Sequence, residues 1–147
     1  PARFPGERAV GVKAEIGGKR YTVTCVSMGN PHCVVFCSRV DGVDVARIGP
    51  QFEHAPYFPD RINTEFIRVV NPSTIKMRVW ERGSGETLAC GTGACAAVIA
   101  ATENGFLQKG RDITVRVQGG DLVVHYTDEA VTLTGDAKLV YTGVVEY

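Results

Sequence analysis

Neither sign of charge is in excess in this chain: 16 Lys and Arg stand against 16 Asp and Glu in 147 residues. A nucleic-acid footprint wants a basic surplus, so no nucleic-acid partner is expected. No run of about eighteen apolar residues occurs, which excludes a membrane-spanning helix and makes a membrane partner unexpected. The first residues carry no apolar signal-peptide core. Repeats and low-complexity segments are also missing. There is no Cys-x-x-Cys pair, and no Cys/His set has zinc-ligand spacing, so neither a thiol-redox motif nor a metal site is indicated. The five cysteines are odd in number. In a globular composition they read as free thiols in a reducing cytosol rather than a disulfide framework, and a cytoplasmic location is expected. The length suits a single domain with a real core.

What is present is a strand-rich pattern. Residues 1–8 carry Pro and Gly and read as an entry linker. Residues 10–16 alternate apolar and polar, Gly17-Gly18 is a two-residue hairpin signal, and 21–26 is the return strand. Ser27 to His32 breaks the pattern before the apolar strand 33–37. Residues 43–54 predict a short helix with Val45, Ile48 and Phe52 on one face, capped by Asp41 or Asp44 and broken at Gly49-Pro50. Further strands are expected at 64–70, 75–80, 113–117, 122–126, 131–134 and 139–145, with the stretch 83–87 as a loop.

The most informative stretch lies between Trp80 and Ala97. A strand ends at Glu81-Arg82, and Gly83 to Thr87 can bring backbone close to a ligand. Cys90-Gly91-Thr92-Gly93 then opens a run of small apolar residues predicting a helix over 94–102. That helix is apolar on every side and must be buried all round. A sheet can bury it only by curling around it. The expected fold is therefore α+β: about eight strands in a curled mixed sheet or barrel wrapped around a central apolar helix, with a second short helix. The N-terminus of the central helix offers unpaired N–H groups and partial positive charge, which suit a carboxylate. A cysteine placed there is expected to have a lowered pKa. Taken alone, such a cysteine is more often buried structure than nucleophile. The two glycines and the threonine that follow Cys90 shift it toward function.

The segment Trp-Glu-Arg-Gly-Ser-Gly-Glu-Thr-Leu-Ala-Cys-Gly-Thr-Gly closely resembles the signature of the diaminopimelate epimerase family, around the second of its two catalytic cysteines. Gly29-Asn30-Pro31-His32 is similar to a second block of that family. The resemblance covers nearly the whole chain, whereas the family's enzymes are about twice as long. Residues 1–147 are thus expected to be one domain resembling the C-terminal half of a two-domain epimerase. Its N-terminal half would be a partner, and a homodimer is the alternative. The resemblance implies that Cys90 is one of two acid/base thiols, with His32 and Glu81 tuning them. It also implies that Gly91 and Thr92 offer N–H groups to the reacting carboxylate. Glu81 and Arg82 would bind substrate, and Asn30 and Asn63 with Arg82 would hold the distant amino acid head of diaminopimelate.

Racemising an amino acid needs one proton removed from Cα and another returned to the opposite face. Two thiols can do this without a cofactor, and none is expected. The family's first catalytic cysteine lies in a Cys-Gly-Asn-Gly block that is missing here. Cys25, Cys33, Cys37 and Cys95 lack that context and read as core cysteines. The chain is therefore expected to carry half an active site and to be inactive alone. The rival readings are a proline racemase-like isomerase, a binding or assembly module without catalysis, and a thiol-redox or metal protein.

Overall fold

Gly17 and Gly18 have φ of 57° and 73°, the left-handed pair that a tight hairpin needs. They join β1 (Val12–Ile16) to β2 (Lys19–Ser27), and β3 (Pro31–Phe36) pairs antiparallel on the far side of β2. A crossover carrying α1 (Val45–Glu53) leads to β4 (Asn63–Asn71), which runs parallel to β3. β5 (Thr74–Glu81) returns antiparallel and carries the short β6 (Gly85–Thr87) at its edge. A second crossover carries α2 (Gly91–Glu103) to β7 (Asp112–Val117), parallel to β5. β8 (Gly120–Tyr126) and β9 (Val131–Thr134) complete the sheet. This computed structural model describes residues 2–146.

Period-two alternation sorts the core into two layers. On β3, Val34 points to the cluster built on α2, where it meets Ile67, Met77, Ile113 and Val124. Its neighbours Cys33 and Val35 point to the cluster built on α1, with Val23, Val45, Phe52 and Phe66. Phe52 and Phe66 meet edge to face, ring centroids 5.5 Å apart.

The all-apolar helix is buried as its composition demands. Gly93 to Val98, Ala100 and Ala101 are all buried, and α2 touches strands from β2 round to β9. The sheet thus curls around α2. It does not close, because the strand path ends at β1 and β9 without joining them. Of the curled mixed sheet or barrel expected, the structure has the open, curled sheet, with nine strands. The predicted strand at 139–145 is one reason: among the described residues no strand forms there. Leu139, Val140, Tyr141, Val144 and Val145 are each at least 74% exposed. The pattern is competent for a strand, but a strand requires a neighbour, and this segment has none among the described residues.

Three smaller expectations are also corrected. The stretch 83–87 is not all loop, since Gly85–Thr87 pairs with β5. α2 begins at Gly91, three residues before the predicted start at 94. α1 runs through Pro50 unbroken. The Ala46 carbonyl that loses its donor to that proline belongs to an exposed residue, so water can satisfy it. Of the two candidate caps it is Asp44 that serves, accepting from the Arg47 N–H at 3.2 Å.

Candidate active site

Cys90 is the N-cap of α2. Its backbone is extended (φ −139°, ψ 113°), and its Sγ accepts from the Gly93 N–H at 3.4 Å. A thiol here occupies the place of a serine or aspartate cap. Thr92 Oγ1 lies 3.6 Å from the same sulfur. Gly91 and Thr92 are the first two residues of the helix, so their N–H groups have no intrahelical acceptor and point outward from its positive end.

The donors are where the helix terminus puts them, yet the expected lowering of the Cys90 pKa is overturned. Cys90 is only 8% exposed. Burial pushes the thiol up, and the charges of Glu81 and Glu65 add to that. The bonds from Thr92 and Gly93 pull it down but do not prevail. Desolvation of the thiolate outweighs two hydrogen bonds. Cys90 therefore rests as a neutral thiol with two groups ready to receive its negative charge.

Behind the thiol stands a pair that the sequence only half indicated. β3 and β4 run parallel with His32 opposite Asn63 and Val34 opposite Glu65, which sets His32 and Glu65 on the α2 side. Both are fully buried, and His32 Nδ1 lies 2.6 Å from Glu65 Oε1. Glu65 is a candidate site residue that sequence reasoning missed. Its signal was a carboxylate in phase with Ile67 and Val69 on a half-apolar strand, a position where an acid is almost never buried without a partner. Burial pushes the Glu65 carboxyl up, and the bond and charge of His32 pull it partly back. Gly93 is required here, because a Cβ on it would lie 2.8 Å from Glu65 Oε1.

A continuous chain of polar contacts links this pair to the thiol. His32 Nε2 lies 3.1 Å from Asn30 Oδ1, and Asn30 Nδ2 donates to Thr92 Oγ1 at 3.3 Å. An amide oxygen can only accept, so Nε2 carries a proton, and one proton is shared between Nδ1 and Glu65. Thr92, receiving from Asn30, has its own O–H free to donate to Cys90. Every donor on the Asn30–Thr92–Cys90 stretch thus points toward the sulfur.

Asn30, His32 and Arg82 also line a cavity of about 690 Å³, together with Cys25, Asp60 and Ile62. The Arg82 N–H donates to Asn63 Oδ1 at 2.9 Å, and its guanidinium donates to the Asp60 carbonyl at 2.8 Å. Asn63 is 5% exposed, and its Nδ2 donates to the Pro31 carbonyl at 2.9 Å. Both ends of that amide are engaged within the chain, where they fix the start of β3 and the turn at Arg82. Glu81 accepts from Thr87 Oγ1 across the β5–β6 hairpin. The structure thus brings Asn30, His32, Thr92 and Cys90 into one chain of contacts. Asn63 and Arg82 form a second group that shares the cavity with Asn30 and His32.

The other cysteines divide. Cys33 and Cys95 are buried as predicted, whereas Cys25 and Cys37 are only partly buried. Cys25 faces Cys33 across β2 and β3, and the hydrogen bond from Cys33 holds its thiol below the ordinary value. Among the described residues no cluster of His, Cys, Asp or Glu could hold a metal, and no helix is long and apolar enough to cross a membrane.

Comparison with known proteins adds a family. Solved structures of the phenazine biosynthesis protein PhzF family share the fold. The Enterococcus faecalis protein has a TM-score of 0.54 at 18% identity over 76% of this chain and 41% of that one. The Bacillus anthracis protein has a TM-score of 0.50 at 23% identity over 71% of this chain and 34% of that one. In sequence, the chain is 51% identical to the diaminopimelate epimerase of Trichodesmium erythraeum over 95% of its own length and 50% of the relative's. It is 51% identical to that of Desulfovibrio desulfuricans over 97% of its length and 53% of the relative's. The chain therefore spans about half the length of the relatives it matches. The family model for diaminopimelate epimerase matches residues 24–140, a stretch that includes Asn30, His32, Asn63, Arg82 and Cys90, and the chain belongs to the diaminopimelate epimerase family.

Proposed function

We propose that this chain is the C-terminal half of an epimerase that interconverts LL- and meso-diaminopimelate without a cofactor, and that Cys90 is one of its two acid/base thiols. The observation that carries the reading is Cys90 as the N-cap of α2, with Thr92 and Gly93 aimed at its sulfur. The N–H groups of Gly91 and Thr92 receive the substrate carboxylate, where charge develops as the Cα proton leaves. In one direction Cys90, resting as a thiol, gives its proton to Cα while a thiolate on the opposite face removes one. Thr92 and Gly93 then hold the thiolate left behind. In the reverse direction that thiolate is the base.

Glu65 and His32 orient Asn30, which orients the Thr92 hydroxyl, and Glu81 adds a negative charge that disfavours a resting thiolate. Arg82, with Asn30, meets the distant amino acid head, and a guanidinium fork suits its carboxylate. Asn63 serves that head by holding the Arg82 turn. The opposite face of Cα and its thiol belong to an N-terminal half. The exposed apolar segment at 139–145 supplies surface for that half to cover. A cytoplasmic setting suits an enzyme that depends on reduced thiols.

The test is Cys90→Ala in a full-length protein containing this half, following solvent deuterium into diaminopimelate. Exchange should fall by several orders of magnitude, as for loss of one member of a catalytic set. Cys95→Ala, just over one turn further along the same helix, should retain it. Full exchange by Cys90→Ala would remove Cys90 from the chemistry.

A further inference from the structure

Glu53 ends α1 and is 3% exposed. Donors from three separate segments converge on its carboxylate. The Trp80 indole N–H of β5 donates at 2.7 Å, the Gly83 N–H of the following turn at 3.1 Å, and the Arg61 guanidinium at 3.1 Å. Trp80 reaches it only because α1 carries Gly49, where a Cβ would lie 2.3 Å from the indole ring. Two of the three donors sit on backbone in the left-handed region, Gly83 at φ 82° and Arg61 at φ 59°. For arginine that conformation is uncommon and needs support. Burial alone would raise the Glu53 carboxyl, but the Trp80 and Gly83 bonds and the charges of His54 and Arg61 hold it below the usual carboxylate range.

The two segments held in this way flank one residue. Arg82 precedes Gly83, and its guanidinium is seated on the carbonyl of Asp60, which precedes Arg61. Glu53 bonds Gly83 on one side and Arg61 on the other, and so fixes both walls of the seat. A carboxylate that served only to finish α1 would have no need to grip backbone on one side of that arginine and a strained residue on the other.

We propose that Glu53 is a positioning residue for substrate recognition: by holding Gly83 and Arg61 together it presents the Arg82 guanidinium to the distant carboxylate of the substrate. The inference rests on the reading of Arg82 as a substrate ligand. Glutamine keeps the volume of Glu53, but its amide cannot accept three donors. In the full-length enzyme, Glu53→Gln should raise KM for diaminopimelate about tenfold, the scale of one charge-assisted hydrogen bond. It should leave kcat within about twofold, since remote binding held equally in ground and transition states moves KM alone. Iodoacetamide labelling of Cys90 against pH should be unchanged, because the Cys90 end of the site is not involved.

Arg61→Ala is the second variant. Its side chain is half-exposed, so folding is not at stake, and it should reproduce part of the KM rise. A lower melting temperature with KM unchanged in Glu53→Gln would make Glu53 a scaffold residue and overturn the inference. So would a KM rise accompanied by a shift in Cys90 labelling, which would mean general distortion of the site. If Glu53→Gln does not fold, an unchanged KM in Arg61→Ala is enough to overturn it. A wild-type enzyme inactive on diaminopimelate sinks the functional reading, and this inference with it. An active wild type whose variants keep their KM sinks this inference alone.

Discussion

Cys90 has two opposing influences on one sulfur. Burial at 8% exposure penalises the thiolate, while the Thr92 hydroxyl and Gly93 N–H reward it. The first wins, so labelling by iodoacetamide should rise with pH through a midpoint above the ordinary thiol value of about 8.5. Partly buried Cys25, held low by Cys33, should label first in this chain. A Cys90 midpoint below that of a free thiol would mean that the hydrogen bonds outweigh burial. The sign for stability follows. The folded pKa lies above the unfolded one, so this thiol's contribution is complete below about 8.5 and is lost as pH rises through the folded value. Thr92→Val removes one donor and should move the midpoint up by about one unit, or slow labelling about tenfold at a fixed lower pH. An unmoved midpoint would mean that Thr92 does not act on the sulfur.

At the scale of elements, what was legible followed from periodicity and from glycine. The Gly17-Gly18 hairpin, the alternating strands as far as 131–134 and the all-apolar helix each had a local signal, and each formed. Curling of the sheet around α2 also followed, because a helix with no polar side leaves no other arrangement. What was not legible depended on neighbours distant in sequence. Glu65 stands in phase with the inward-facing Ile67 without any local hint that His32, 33 residues earlier, would meet it. Desolvation of Cys90 comes from the packing around it, which a helix-terminus rule does not see. Asn63, which the resemblance assigns to substrate, has in addition the Arg82 N–H and the Pro31 carbonyl as partners, and neither contact had a local signal. The segment 139–145 has a strand's alternation and no partner strand among the described residues. Deleting residues 139–147 should change the stability of this chain by no more than about 0.5 kcal/mol, as for exposed surface. A large loss in thermal unfolding would show that the segment packs on its own half.

At the scale of the molecule, a thiol at a helix N-terminus is linked through Thr92 and Asn30 to a cavity of about 690 Å³, and the chain spans about half of its relatives. Proton transfer at Cα needs a group on each face, and in the proposed function Cys90 serves one. A symmetric pair of chains is the competing arrangement, because it could set two Cys90 thiols face to face. Solvent deuterium exchange into LL- and meso-diaminopimelate separates the two, measured with this chain alone and again after adding the N-terminal half. No exchange is expected from the chain alone, across concentrations that would populate a dimer, and exchange at both isomers is expected once the other half is present. Full exchange from the chain alone would contradict the assignment of the second thiol to an N-terminal half.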